Sequence, residues 1–191
     1  MNVNRRQFLG AASAAAFPFI FPAYGGLNVR KFLANEKVNV GVIGIGRIST
    51  TMDIPLAIKY TDLCRFTAVC DLDSKRLAHG VDFIQKQYQK LMGEANAPVK
   101  TYADYHDIID DPSIDAVEIC LPDHWHTLVA CAALAKGKHI WLQKPFSQTI
   151  TEGRIIANLA KLQNRVVQVG SWQRSVNNCQ LCCVIPACSA A

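Results

Sequence analysis

Two clusters of residues in this chain have types and spacing suited to chemistry. The first is Gly44-Ile45-Gly46-Arg47-Ile48-Ser49, which follows directly on the apolar run Val38–Ile43. Gly44, Gly46 and Ser49 fill the three positions of a G-x-G-x-x-small turn. The first glycine permits a tight turn. The second lets backbone N–H groups approach a diphosphate with no Cβ in the way. The small third residue lets the following helix pack close to the strand, with its positive N-terminal end toward the phosphates. Glycine turns also occur without a ligand, so the pattern needs support. Asp71 supplies it: an acidic residue closing a second apolar run, Arg65–Cys70, and lying 22 residues beyond Ser49. At that distance a carboxylate can accept hydrogen bonds from a ribose. The expected ligand is therefore a dinucleotide, with the backbone of Gly44, Ile45, Gly46, Arg47 and Ile48 around its diphosphate and Asp71 on its sugar.

The second cluster is split between Leu121-Pro122-Asp123-His124-Trp125-His126 and Gln143-Lys144-Pro145-Phe146. A lysine ammonium can hydrogen-bond a substrate oxygen and stabilise negative charge that develops as hydride moves. A nearby imidazole can take or give a proton. Lys144 and His126 are thus the candidate catalytic residues. Other roles stay open at this level: His126 as a helix cap, His124 as an exposed loop residue, Lys144 as a solvated charge. Asp123, His124 and His126 include metal-ligating types, but no firm third ligand accompanies them, and no metal is expected.

These residues must be carried by regular elements, and the chain alternates strand and helix throughout. Strands are expected over Val38–Ile43, Arg65–Cys70, Pro98–Tyr102, Ala116–Leu121, His139–Leu142 and Arg165–Val169. A helix starts near Ile48, with Pro55 either in its first turn or breaking it. Ser74 can cap a helix whose stripe Leu77, Val81, Ile84, Tyr88 and Leu91 has helical spacing. A short helix around Ile108 ends at Asp111-Pro112, one from Trp125 to Lys136 stops at Gly137, and Thr151 can cap the last. Short crossovers imply a parallel, doubly wound α/β sheet ordered 3-2-1-4-5-6. Both clusters then fall beyond its carboxyl ends, where the strand order reverses.

Composition sets outer bounds. The 191 residues are half apolar and 18 % charged, enough for one substantial core. The formal charge of +5 includes Arg5 and Arg6, and no basic run carries interleaved aromatics, so no nucleic-acid partner is expected. Arg5-Arg6 directly precedes an uncharged, Ala-rich stretch, Leu9 to Tyr24. Residues 1–26 therefore read as a twin-arginine export signal and 27–37 as a linker, giving a periplasmic or exported protein. Pro18, Pro22 and Gly25-Gly26 argue against a spanning helix. Cys64, Cys70, Cys120 and Cys131 read as free thiols in or beside apolar elements. Cys179, Cys182, Cys183 and Cys188 crowd the uncharged stretch 176–191, which departs from the earlier pattern. It reads as a frameshifted or prematurely ended frame, with metal binding as the alternative.

The stretches Val40–Ser49, Ala68–Asp73, Asp115–His126, Gly137–Pro145 and Val166–Arg174 resemble the N-terminal half of the Gfo/Idh/MocA oxidoreductases. The resemblance implies a Rossmann NAD(P)-binding domain over 38–175 and hydride transfer to or from a sugar or cyclic polyol. It places Lys144 beside nicotinamide and substrate, followed by an often cis proline, Pro145. Leu121, Pro122 and His126 fall at the cofactor pocket, and Gln143 stands where the family motif has glutamate. Asp71 implies NAD, because a carboxylate repels a 2′-phosphate; Lys75 and Arg76 keep NADP open. Family members continue into a second α/β domain that covers the cofactor. The resemblance thus implies that most of the substrate site is missing here, and that an exposed face favours association, a homo-oligomer included. Two alternatives follow: a non-catalytic NAD(P)-binding fragment, or a remnant of the members that use NAD to cleave glycosides.

Overall fold

Valine is the commonest strand residue, and the sheet is parallel throughout, in the order β3-β2-β1-β4-β5-β6. The computed structural model describes residues 37–171. The export signal, nearly all of the linker, Trp172 to Ser175 and the Cys-rich tail lie outside them. The strands are β1 Val38–Ile43, β2 Cys64–Cys70, β3 Lys100–Tyr102, β4 Ala116–Ile119, β5 His139–Gln143 and β6 Val167–Gly170. The helices are α1 Ile54–Ala57, α2 Ser74–Met92, α3 Tyr105–Asp110, α4 Asp123–Ala135 and α5 Ile150–Leu162. The expected order and alternation are met, and element ends differ by one to a few residues from the sequence expectation.

Both faces of the sheet are covered, as double winding requires. On one face Ile43, Cys70, Val117, Ile119, Ile140 and Leu142 pack with α3, α4 and α5 through Ile108, Val129, Ala133, Leu134 and Ile156. On the other, Val42, Phe66 and Val69 pack with α1 and α2 through Ile54, Ile84 and Tyr88. Truncating one of the buried Ile or Leu side chains to Ala costs about 2–5 kcal/mol. Phe66 and Ala68 would share a face in a regular strand, yet they belong to opposite cores. The register of β1 on β2 jumps at Val40/Gly41, so that Thr67 is bulged and the side-chain parity of β2 switches there.

Two expected caps are corrected. Asp73, not Ser74, caps α2: its side chain accepts a hydrogen bond from the Lys75 N–H. Thr149, not Thr151, caps α5, where Thr149 and Glu152 form a reciprocal capping box. Pro55 sits in the first turn of α1. The turn before it, Ser49–Asp53, is widened to π-helical form. A wider turn accommodates the pyrrolidine ring, which would crowd the carbonyl four residues back in a regular helix.

Candidate cofactor and active site

The glycine turn leaves β1 at the carboxyl edge of the sheet, and its two glycines are needed for different reasons. Gly44 has φ +93°, and a Cβ there would lie 2.4 Å from the Cys120 carbonyl oxygen. The turn presses against the end of β4, and only glycine fits. A Cβ on Gly46 would meet nothing within 4 Å. Gly46 is therefore small with respect to open space rather than to protein. Ser49 is fully buried, and its hydroxyl donates to the Gly46 carbonyl at 2.9 Å. The close helix packing expected of the motif is shared with α2, where a Cβ on Gly80 would come within 3.1 Å of the Ile45 side chain.

Asp71 faces this turn. Its Oδ2 accepts from the Ile45 N–H at 2.8 Å and its Oδ1 from the Asp73 N–H at 3.0 Å. Each oxygen keeps a further acceptor position for a hydroxyl. Between Asp71 and the turn opens a cavity of about 460 Å³, in the size range of small-molecule sites. Of the expected cofactor residues, Gly44, Gly46, Asp71, Leu121 and Pro122 line it, joined by Trp125, Tyr105, His106 and Arg76. Ile45 instead buries its side chain in the core and offers its N–H to Asp71. Arg47 is exposed and Ile48 half-buried, both on the helical segment that follows the turn.

His126 requires a correction. The imidazole is fully buried, with Nδ1 2.6 Å from the Pro145 carbonyl and Nε2 2.9 Å from the Leu121 carbonyl. Both nitrogens are occupied by backbone, so the ring ties the β4–α4 turn to the segment after β5 and has no nitrogen free for proton transfer to a substrate. Spacing put the histidine at the right end of the sheet; it could not show which way the ring points. Lys144 is exposed at the end of β5, and the Lys144–Pro145 peptide is cis.

Sequence reasoning missed the polar cluster beneath these groups. Asp53, Glu118 and Gln143 are nearly inaccessible, and one ligating atom from each of Asp53, Glu118 and Cys120 lies within 4.8 Å of the others. The Cys120 thiol donates to Asp53 Oδ2 at 3.1 Å and reaches Glu118 Oε1 at 3.4 Å. Gln143 Nε2 donates to both Asp53 oxygens, at 2.9 and 2.8 Å. Burial, reinforced by the Asp53 carboxylate, pushes the Glu118 carboxyl up to about 8. Burial and these two carboxylates also drive the Cys120 thiol far above its ordinary range, so it is an unreactive donor. The available signal was Glu118 standing inside an otherwise apolar strand.

A strand–glycine turn–helix with a carboxylate aimed at the turn, at the reversal of strand order, is the geometry of a dinucleotide fold. The sequence profile described as "Oxidoreductase family, NAD-binding Rossmann fold" matches residues 38–171. The chain belongs to the Gfo/Idh/MocA oxidoreductase family. Inositol 2-dehydrogenase of Salmonella typhimurium is 32 % identical over 138 residues, which cover 72 % of this chain and 38 % of that protein. A glycosyl hydrolase family 109 protein of Saccharopolyspora erythraea is 24 % identical over 151 residues, 76 % of this chain and 31 % of that one. The crystal structure of myo-inositol 2-dehydrogenase from Lactobacillus plantarum matches with a TM-score of 0.58 and 25 % identity, covering 74 % of this chain and 38 % of that one. This Gfo/Idh/MocA chain thus spans about 38 % of the length of the first relatives it matches. The open space over Gly46 and the anchored Asp71 fit the family's NAD.

Proposed function

We propose that this chain binds NAD across the carboxyl ends of β1, β2 and β4 and serves hydride transfer at a secondary alcohol carbon of a sugar or cyclic polyol. The observation that carries this reading is Asp71, held by the Ile45 N–H at the mouth of a cavity whose floor is the glycine turn. The backbone from Gly44 to Ile48 holds the diphosphate, and Asp71 accepts the ribose hydroxyls. Asp71 favours NAD over NADP, and Arg76 on the same cavity wall is the residue that would soften that preference. NAD, when bound, supplies the carbon that accepts or returns hydride. Lys144 donates a hydrogen bond to the substrate oxygen and stabilises its developing charge. His126 holds the backbone on either side of that site.

Lys144→Ala in the catalytically competent protein tests the assignment. Turnover falls about 100-fold or more, as for loss of a group acting on the reacting atoms, while NAD affinity changes little. Equal loss of both would make Lys144 a binding residue only. The likeness to a glycosyl hydrolase family 109 protein supports a second reading, in which NAD is oxidant only transiently and a glycoside is cleaved with no net change in NADH. Release of aglycone without NADH accumulation selects it. The proposal includes export through the Arg5-Arg6 leader; replacing both arginines by lysine then leaves the protein in the cytoplasm, and unchanged export would remove that part.

A further inference from the structure

Gln143 is a side chain with two ends in use. Its Nε2 donates to both oxygens of Asp53, and its Oε1 accepts from the Lys144 backbone N–H at 2.9 Å. A flipped amide would set donor against donor at Lys144 and acceptor against acceptor at Asp53, so the carboxylate selects the orientation that holds Lys144. Asp53 is itself fixed: it is 2 % exposed and receives the Cys120 thiol hydrogen. Asp53 also belongs to the helical turn Ser49–Asp53, which directly follows the diphosphate-binding glycines. One buried contact thus joins the element that carries the phosphate cradle to the strand end that carries the lysine, across β4. A glutamate at position 143 would instead add a third carboxyl group beside Asp53 and Glu118, and it would lose the amide donor.

We propose that Asp53 is a positioning residue for Lys144, acting through the Gln143 amide to set the lysine's place relative to a dinucleotide bound at the glycine turn. This rests on the reading of Lys144 as a neighbour of the nicotinamide. The clamp does not touch cofactor or substrate; it fixes where the β5 end lies relative to the turn. Its effect is on the geometry between cofactor and lysine, and not on cofactor affinity.

Acetylation of Lys144 by N-acetoxysuccinimide, followed by peptide mass spectrometry with and without saturating NAD, tests this, with exposed Lys136 and Lys161 as internal references. In the native chain bound NAD shields Lys144 and leaves the references unchanged. Gln143→Asn keeps a neutral amide but is one methylene too short to span Asp53 and the Lys144 N–H. It should bind NAD as tightly by tryptophan fluorescence, yet lose the shielding. Gln143→Glu should lose it as well. The exchange Asp53→Asn with Gln143→Glu returns a donor opposite an acceptor at the same buried charge, and should restore it. Shielding of Lys144 in Gln143→Asn equal to that of the native chain overturns the proposal, as does an exchanged pair that binds NAD without shielding. If NAD binds the native chain and leaves Lys144 unshielded, the underlying reading of Lys144 fails instead. Should Gln143→Glu not fold, Gln143→Asn and the exchanged pair still decide.

Discussion

Gly44 and Gly46 look alike in the sequence and have opposite sensitivities in the fold. Gly44→Ala forces a Cβ onto the Cys120 carbonyl at a positive φ, so thermal unfolding should shift downward by the equivalent of about 2 kcal/mol or more. Gly46→Ala adds a methyl group to open space and should leave the unfolding temperature unchanged; a large fall would mean that Gly46 is structural. Glu118 gives a residue-scale pH prediction. Its carboxyl moves from 4.5 up to about 8 on folding, so the native state binds a proton that the unfolded chain releases between those values. Stability from this group is full below about 4.5 and is lost as pH rises toward 8. Stability measured by denaturant titration should therefore decline from pH 5 to pH 8, and Glu118→Gln should flatten that decline; an unchanged slope would contradict the assignment. Spacing was enough to place Gly44, Gly46 and Asp71 around one cavity, because backbone geometry and strand order put them there. Spacing does not reveal the His126 ring orientation, which depends on two carbonyls, Leu121 and Pro145, that only tertiary structure brings together.

At the scale of elements, strands and long helices were legible because apolar periodicity reports the face that packs. Their ends were not, because caps are settled by single hydrogen bonds. Thr149 and Glu152 close the α5 capping box, and Thr149→Ala should cost about 1 kcal/mol while Thr151→Ala should cost little; the reverse order in urea unfolding would restore Thr151 as the cap. The bulge at Thr67 was equally hidden, since parity along β2 is set by its neighbour β1. Between α3 and β4, Asp111 collects hydrogen bonds from Lys100 and Tyr102, both at 2.6 Å, and from Ser113. Burial works against its charge, but these donors outweigh burial and hold the carboxyl well below its ordinary 3.8. The stability it contributes is present above that ordinary value and is lost as pH falls further. Asp111→Asn should remove part of the acid-unfolding transition below about pH 4; an acid limb identical to that of the native chain would show that the cluster contributes nothing.

For the whole molecule, strict alternation of strand and helix was enough to give the order of all six described strands, because short right-handed crossovers leave few other topologies. That order puts the glycine turn, Asp71 and the β4 and β5 ends at one edge, and the family assignment follows the same residues. What topology alone could not reveal is that Asp53, Cys120 and Gln143, from three separate segments, meet under the site. Charge and burial there couple elements that the sequence presents as independent. The proposed function depends on one binding event. Calorimetric titration of NAD into the native chain and into Gly46→Val measures it most directly, with circular dichroism to confirm that both are folded. Saturable binding of one NAD per chain, abolished in the folded Gly46→Val protein, is the predicted result; equal affinity in the two, or no binding to the native chain, would contradict it.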